Sequence, residues 1–341
     1  MPHPPRDAPG HALRHPSGNP DPVLGAGMTV PVSVPGPLHR QYAQTRAGRD
    51  WLTSLPSLVD AARQRWGLTL DLQGREPWHG NGAMVLPVAS PYGPAVLKVA
   101  YPHDEALTEP AALGLWSGFG AVRLYASHAD SGTLLLERLD DARSLSDAAM
   151  DTAVEVWGGL VRKLSLPAAD SPGWAGIPSL AERTEQLSDE LPAAWEDLGR
   201  PIERRLLEAA LEVCQTRGAV GRRSSNDVLV HTDLHFENIL YRHPGADGHG
   251  FVAIDPQAMV GEPEFAAAPM LWNRIDELDQ ARPEAALRGR LLRLCAAGGL
   301  DPETARQWSV LREVDNCLDY TRDGKRKDAE RSAWVAATLA N

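Results

Sequence analysis

The chain has 341 residues, with 34 Lys and Arg against 45 Asp and Glu, a net charge of −11 and a pI of about 5.5. This length suits one large or two medium domains, and 43% hydrophobic with 23% charged residues is ordinary for a protein that buries a sizeable core. The acid excess argues against a nucleic-acid binder, and no apolar run of about 18 residues offers a membrane span.

Residues 1–37 hold ten prolines among few apolar residues. Such a segment cannot bury enough surface to offset the entropy of ordering it, so disorder is expected. It lacks the apolar stretch and small-residue cleavage site of a secretory signal, and Met28 within it is a second candidate start. Trp51, Leu55, Leu58, Val59, Ala62 and Trp66 recur at helical spacing, with Gly67 as the stop. Two β-rich runs, 83–88 and 94–100, flank the turn Ser90-Pro91-Tyr92-Gly93 and predict a hairpin. A helix is expected over 104–117, then strands over 122–125 and 133–137. From Ser144 to about Arg217 the pattern is helical, a mixed block covers 228–254, and helices resume to the end. The layout is α+β, with a small β-rich N-lobe over 38–138 and a larger, mainly helical C-lobe over 139–341. Cys214, Cys295 and Cys317 are odd in number and show neither zinc nor disulfide spacing, which fits a reducing compartment and a cytoplasmic location.

The densest chemistry is Val228-Leu229-Val230-His231-Thr232-Asp233-Leu234-His235-Phe236-Glu237-Asn238-Ile239-Leu240, followed by a second apolar strand ending at Asp255. Phosphoryl transfer needs a carboxylate beside the acceptor hydroxyl and oxygen ligands for Mg²⁺ on the phosphates. Asp233 supplies the first; Asn238 and Asp255 supply the second. His231 and Asp233 alone would read as a buried hydrogen-bonded pair, but the ordered set is hard to reach by chance. Lys98 interrupts an apolar strand and needs a partner. As a phosphate-contacting lysine it would pair with Glu109 or, second, Glu105; the alternative is a strand-edge lysine facing water. Pro110 after Glu109 means that the helix either starts late or kinks. Gly80 and Gly82 in His79-Gly80-Asn81-Gly82 form either a backbone cover over phosphates or a plain turn. Residues 134–139 stand where a hinge would meet the adenine edge with its backbone groups, by position alone, with Glu137 and Leu139 as its contacts.

The chain resembles the aminoglycoside phosphotransferase superfamily, and within it the streptomycin 6-kinase and hydroxyurea phosphotransferase family. The resemblance rests on 51–67, 95–100, 109–124, 134–139, 231–240 with Ile254-Asp255-Pro256-Gln257, Val260-Gly261-Glu262-Pro263 and Asn273-Arg274-Ile275-Asp276-Glu277, and spans roughly 38–323. It implies a bilobal protein-kinase-like fold. It implies transfer from ATP, with GTP left open, using Mg²⁺. The acceptor would be a small antibiotic-like molecule, with no nucleic-acid or membrane partner, in a monomer or homodimer. It assigns Asp233 as the catalytic carboxylate, Asn238 and Asp255 as metal ligands, Lys98 and Glu109 as the phosphate-side pair and His231 as loop support. Four departures stand out: Thr232 replaces the glycine of His-Gly-Asp, Glu262 the aspartate of Gly-Asp-Pro, Ala266 a common aspartate, and Pro110 follows Glu109. Glu237, Glu262, Glu264, Asp276 and Glu277 are candidates to draw a cationic acceptor, against the plainer reading of a solvated acidic surface. Other readings are a metabolic sugar or amino-alcohol kinase and a non-catalytic binding protein of the same fold. A protein kinase is disfavoured, because no Asp-Phe-Gly or Ala-Pro-Glu element is present.

Overall fold

The computed structural model describes residues 32–341 except 81, 103, 220–225 and 246–247. The head up to residue 31, including Met28, lies outside the described residues. Within the head expected to run to 37, Val32 is buried in the same cluster as Leu38, Leu52 and Leu55. Pro37 falls in the first turn of helix α1 (Gly36–Tyr42), where its missing N–H costs no intrahelical bond.

Helix α2 (Arg46–Trp66) is capped by Thr45, whose side chain accepts from the Gly48 N–H at 3.0 Å, and Gly67 closes it at φ 63°. Its face of Trp51, Leu52, Leu55, Val59 and Ala62 packs on the small-lobe sheet. That sheet contains β1 (Thr69–Leu70), β2 (Trp78–His79), β3 (Ala83–Ser90), β4 (Gly93–Ala100), β5 (Leu124–His128) and β6 (Thr133–Glu137). The order is β1-β3-β4-β6-β5, all antiparallel, with β2 also on β3. The β3–β4 hairpin turns at Pro91-Tyr92, and the Ser90 hydroxyl closes it on the Gly93 carbonyl at 2.8 Å. Helix α3 (Asp104–Trp116) follows β4, starts well before Glu109 and contains Pro110. Strand β5 starts later than the expected 122. The Val122 N–H donates to Ala253 in the large lobe at 2.8 Å, so this stretch joins the lobes instead of extending the sheet.

The large lobe comprises β7 (Asp140–Ser144), α4 (Met150–Leu164), α5 (Leu180–Asp197), α6 (Arg204–Arg217), β8 (Val228–His231), β9 (Ile239–Gly245), β10 (Gly248–Ala253), β11 (Ala258–Gly261), α7 (Pro269–Trp272), α8 (Pro283–Gly298), α9 (Pro302–Arg322) and α10 (Arg326–Leu339). The sequence reading did not anticipate β11. It is short and borrows its stability from pairing with β8, Ala258 opposite His231. Strands β10, β9 and β7 form a second small sheet. Helices α4 and α8 approach so closely that a side chain on Gly158 would meet the Ala297 backbone at 2.4 Å. Trp157, fully buried beside this contact, is part of the main core. The three cysteines are buried free thiols, and no described helix is long and apolar enough to cross a membrane.

Candidate active site

Two antiparallel pairs deliver the polar residues to one place. Pairing of β8 with β11 ends at His231, and pairing of β9 with β10 begins at Ile239 opposite Ala253. The loop 232–238 and the turn 254–257 therefore leave adjoining strand ends. They are stitched together by Thr232 N–H and Oγ to the Gln257 carbonyl, 2.9 and 2.8 Å, and by Ile254 N–H to the Asn238 carbonyl, 2.9 Å. The Thr232 hydroxyl thus adds a second bond between the two loops. Asp255 takes φ 54°, a left-handed conformation that aspartate tolerates better than most side chains.

His231 is buried. Its Nδ1 accepts from the Asp233 N–H at 3.2 Å and its Nε2 donates to the Ile254 carbonyl at 3.0 Å. Burial holds its pKa below the usual histidine value, so the ring is neutral and shapes the loop. Asn238 uses its amide nitrogen on the Asp233 carbonyl at 2.9 Å and the Asp233 carboxylate at 3.3 Å. This turns its Oδ1 away from Asp233, the orientation a hard cation needs. Burial alone would raise the Asp233 pKa. The His235 ring, 3.6 Å from Oδ2, and Arg312, 3.8 Å from Oδ1, outweigh it and lower the carboxyl to about 2.

Lys98 sits in the middle of β4, opposite Val85 and Leu134, and is only 8% exposed. Its Nζ donates to Glu109 at 2.6 Å and to Asp255 at 2.5 Å. Burial opposes its charge, but the two carboxylates prevail and raise its pKa. The charge of Lys98 in turn lowers the Asp255 carboxyl. Glu109 is 3% exposed, and its burial pushes its own pKa up against the pull of Lys98. Lys98 therefore joins both lobes, and the paired glutamate is Glu109. Gly80 lies over the same point, since a Cβ there would stand 4.0 Å from Asp255 Oδ2. The Gly82 carbonyl accepts from Tyr101 N–H at 2.7 Å, which pins the other end of this loop to β4; Asn81 lies outside the described residues.

The Glu137 carboxylate is consumed by Arg242, at 2.7 and 2.8 Å, and by the Arg123 N–H at 3.2 Å. It is a strut between β6 and β9, and Leu139 is a buried core residue. Several acidic candidates for an acceptor are likewise engaged. Glu262 holds Arg217 and the Trp308 indole, Glu264 accepts from the Asp301 N–H, and Glu277 pairs with Arg274. Sequence reasoning missed His235 and Arg312. His235 was readable as the second histidine of the loop, whereas Arg312 carries no local signal.

A small antiparallel sheet that offers a buried Lys-Glu pair to a carboxylate rising from a helical lobe is the working arrangement of phosphotransferases with protein-kinase architecture. The fold agrees with solved structures of the aminoglycoside phosphotransferase APH(4)-Ia. One shows TM-score 0.54 and 14% identity over 83% of this chain and 98% of that one. Another, a mutant in ternary complex with ADP and hygromycin B, shows 0.52 and 13% over 82% and 97%. The family described as aminoglycoside/hydroxyurea antibiotic resistance kinase matches residues 65–324, and this chain belongs to it. Streptomycin 6-kinase of Streptomyces griseus is 34% identical over 91% of this chain and 97% of the relative. Hydroxyurea phosphotransferase of Kitasatospora aureofaciens is 36% identical over 86% and 81%. The chain is an ATP-dependent phosphotransferase.

Proposed function

We propose that this chain transfers the γ-phosphoryl group of ATP to a hydroxyl of a streptomycin-type aminoglycoside or of hydroxyurea, and so confers resistance to it. The observation that carries the reading is the convergence of Asp233, Asn238, Asp255 and the Lys98–Glu109 pair on one point between the lobes.

Asp233, fully ionised at neutral pH, orients the acceptor hydroxyl and takes its proton as the new O–P bond forms. The bond from the γ-phosphorus to the bridging oxygen breaks, and ADP leaves. Lys98 faces the nucleotide phosphates, with Glu109 keeping it charged inside the lobe. The Gly80–Gly82 loop covers them with backbone groups. Asn238 Oδ1 and the half-exposed Asp255 carboxylate are the oxygens suited to Mg²⁺. When bound there, the ion neutralises charge on the phosphate oxygens. What Glu137 and Leu139 give an adenine ring is backbone, because the Glu137 side chain is already taken. Residues 38–138 hold the nucleotide, and 139–341 carry the catalytic loop and the acceptor. The buried thiols suit a reducing compartment, and we place the activity in the cytoplasm.

The test is incubation of the purified chain with ATP, Mg²⁺ and either streptomycin or hydroxyurea, followed by mass spectrometry. An added phosphoryl group on one of them is expected. Product from neither, with ATP consumed on a sugar or amino alcohol instead, overturns the antibiotic reading.

A further inference from the structure

Ala266, next to Phe265, is buried at 3% exposure within the 3₁₀ turn Pro263–Ala267. A methyl group there cannot hold the catalytic loop. The loop is held from other directions. Trp157 donates to the Leu234 carbonyl at 3.0 Å, Ser144 to the Phe236 carbonyl at 3.2 Å, and Asn238 to the Asp233 carbonyl. These bonds fix the loop from Asp233 onward. On the α9 side it is Arg312 that reaches the segment ahead of them. One guanidinium nitrogen donates to the Thr232 carbonyl, and the other lies 3.8 Å from Asp233 Oδ1.

Arg312 is itself built in. Its guanidinium lies 5.1 Å over the ring of Phe265, the neighbour of Ala266. Phe265 packs edge-on against Trp308 at 5.3 Å, one helical turn before Arg312, and the Trp308 indole donates to Glu262 at 2.8 Å. Glu262, Trp308, Phe265 and Arg312 thus form one chain of contacts ending at the reacting carboxylate. The Arg312 side chain is 14% exposed, and a planar donor fork can serve a carbonyl and a carboxylate together as an ammonium cannot.

We infer that Arg312 is a positioning residue of this phosphotransferase: it braces the catalytic loop from α9 at Thr232 and Asp233. The inference rests on the reading of Asp233 as the catalytic carboxylate. Arg312 acts through Asp233 and need not touch either substrate. Its loss should therefore lower kcat and leave nucleotide binding alone.

The experiment compares the parent with Arg312→Met, Arg312→Lys, Phe265→Leu and Asp233→Asn. Steady-state kinetics with the phosphorylated acceptor, ATP-analogue titration and thermal melts are recorded for each. A misplaced reacting group costs about 10²-fold, so Arg312→Met should lose about that factor in kcat while analogue affinity stays within about threefold. Arg312→Lys retains charge without the fork and should recover only part of the loss. Phe265→Leu should show a smaller loss of the same kind. If Arg312→Met melts below the assay temperature, Arg312→Lys and Phe265→Leu decide. The inference is overturned if every folded Arg312 variant keeps kcat within about threefold of the parent. It is equally overturned if nucleotide affinity falls in step with kcat. Unimpaired turnover by Asp233→Asn would instead remove the reading of Asp233 on which the inference stands.

Discussion

Arg242 on β9 grips Glu137 at the end of β6 through two bonds of 2.7 and 2.8 Å, and its remaining donors reach the Gly118 and Ala121 carbonyls at 3.0 and 2.9 Å. Arg242 is 7% exposed, so these four N–H bonds have been moved from water to protein oxygens. The clamp lies where the small lobe passes into the large one. Removing one partner leaves a buried charge without compensation. Arg242→Met should cost about 3–5 kcal/mol, read as a lower urea midpoint at unchanged slope. Replacing both partners with apolar residues should cost much less than the single change.

Asp233→Asn keeps the size of the side chain and removes the proton acceptor. The expected loss is about 10²–10⁴-fold in kcat, with nucleotide binding retained. Retained binding separates a chemical defect from a folding defect, and equilibrium titration with an ATP analogue reads it.

Lys98 stands between two carboxylates, and its charge is the element that lets Glu109 and Asp255 approach the same point. Lys98→Met should lower kcat/KM for ATP by roughly 10²–10³. Glu109→Gln keeps the lysine but loosens it, so the KM for ATP should rise more than kcat falls. Initial rates over a range of ATP concentrations distinguish the two.

Asn238→Ala and Asp255→Asn should each leave a folded protein whose turnover no longer responds to Mg²⁺ in the millimolar range. For the parent, EDTA should stop transfer and added Mg²⁺ should restore it. An EDTA-insensitive parent would contradict the assignment of these oxygens to a metal.

Glu313 on α9 is fully enclosed. Its Oε1 accepts from Asn316 at 3.2 Å, and burial outweighs the pull of Ser332 and Asn316 and pushes its carboxyl up to about 7. The folded state binds this proton more tightly than the unfolded chain does. Its contribution is therefore fully present below the unfolded value near 4.5 and is lost as pH rises through about 7. The span corresponds to roughly 3 kcal/mol. Urea midpoints should fall between pH 5 and 8 for this reason, and Glu313→Gln should flatten the fall. Asp315, held near 6 mainly by burial, adds a slope of the same sign.

Much of the site was legible in one dimension. His231, Asp233 and Asn238 lie within one loop, so their spacing encodes their hydrogen bonds directly. Lys98 announced itself as a charge inside an apolar strand, a position that demands a partner. Pairing to Glu109 through Pro110 was less legible, because the cost of proline in a helix depends on what the helix packs against. The strand β11 was not legible at all, since four residues without strong alternation are ordered only by their neighbour.

The residues alone carried the two-lobe order, the class of chemistry and the candidates for the reacting groups, because these depend on local periodicity and on motifs a few residues long. Tertiary structure decided which charges are spent on architecture and which remain for chemistry. Glu137 and Glu262 look available in the sequence and are bound in the fold. Arg312 looks like any helix arginine and comes to rest on a carbonyl 80 residues earlier in the chain. The physical reason is the same for all three. A long side chain finds its partner through the packing of whole elements, here α9 against the turn Pro263–Ala267 and β9 near β6, and that packing is a sum over many apolar contacts that no short stretch of sequence contains.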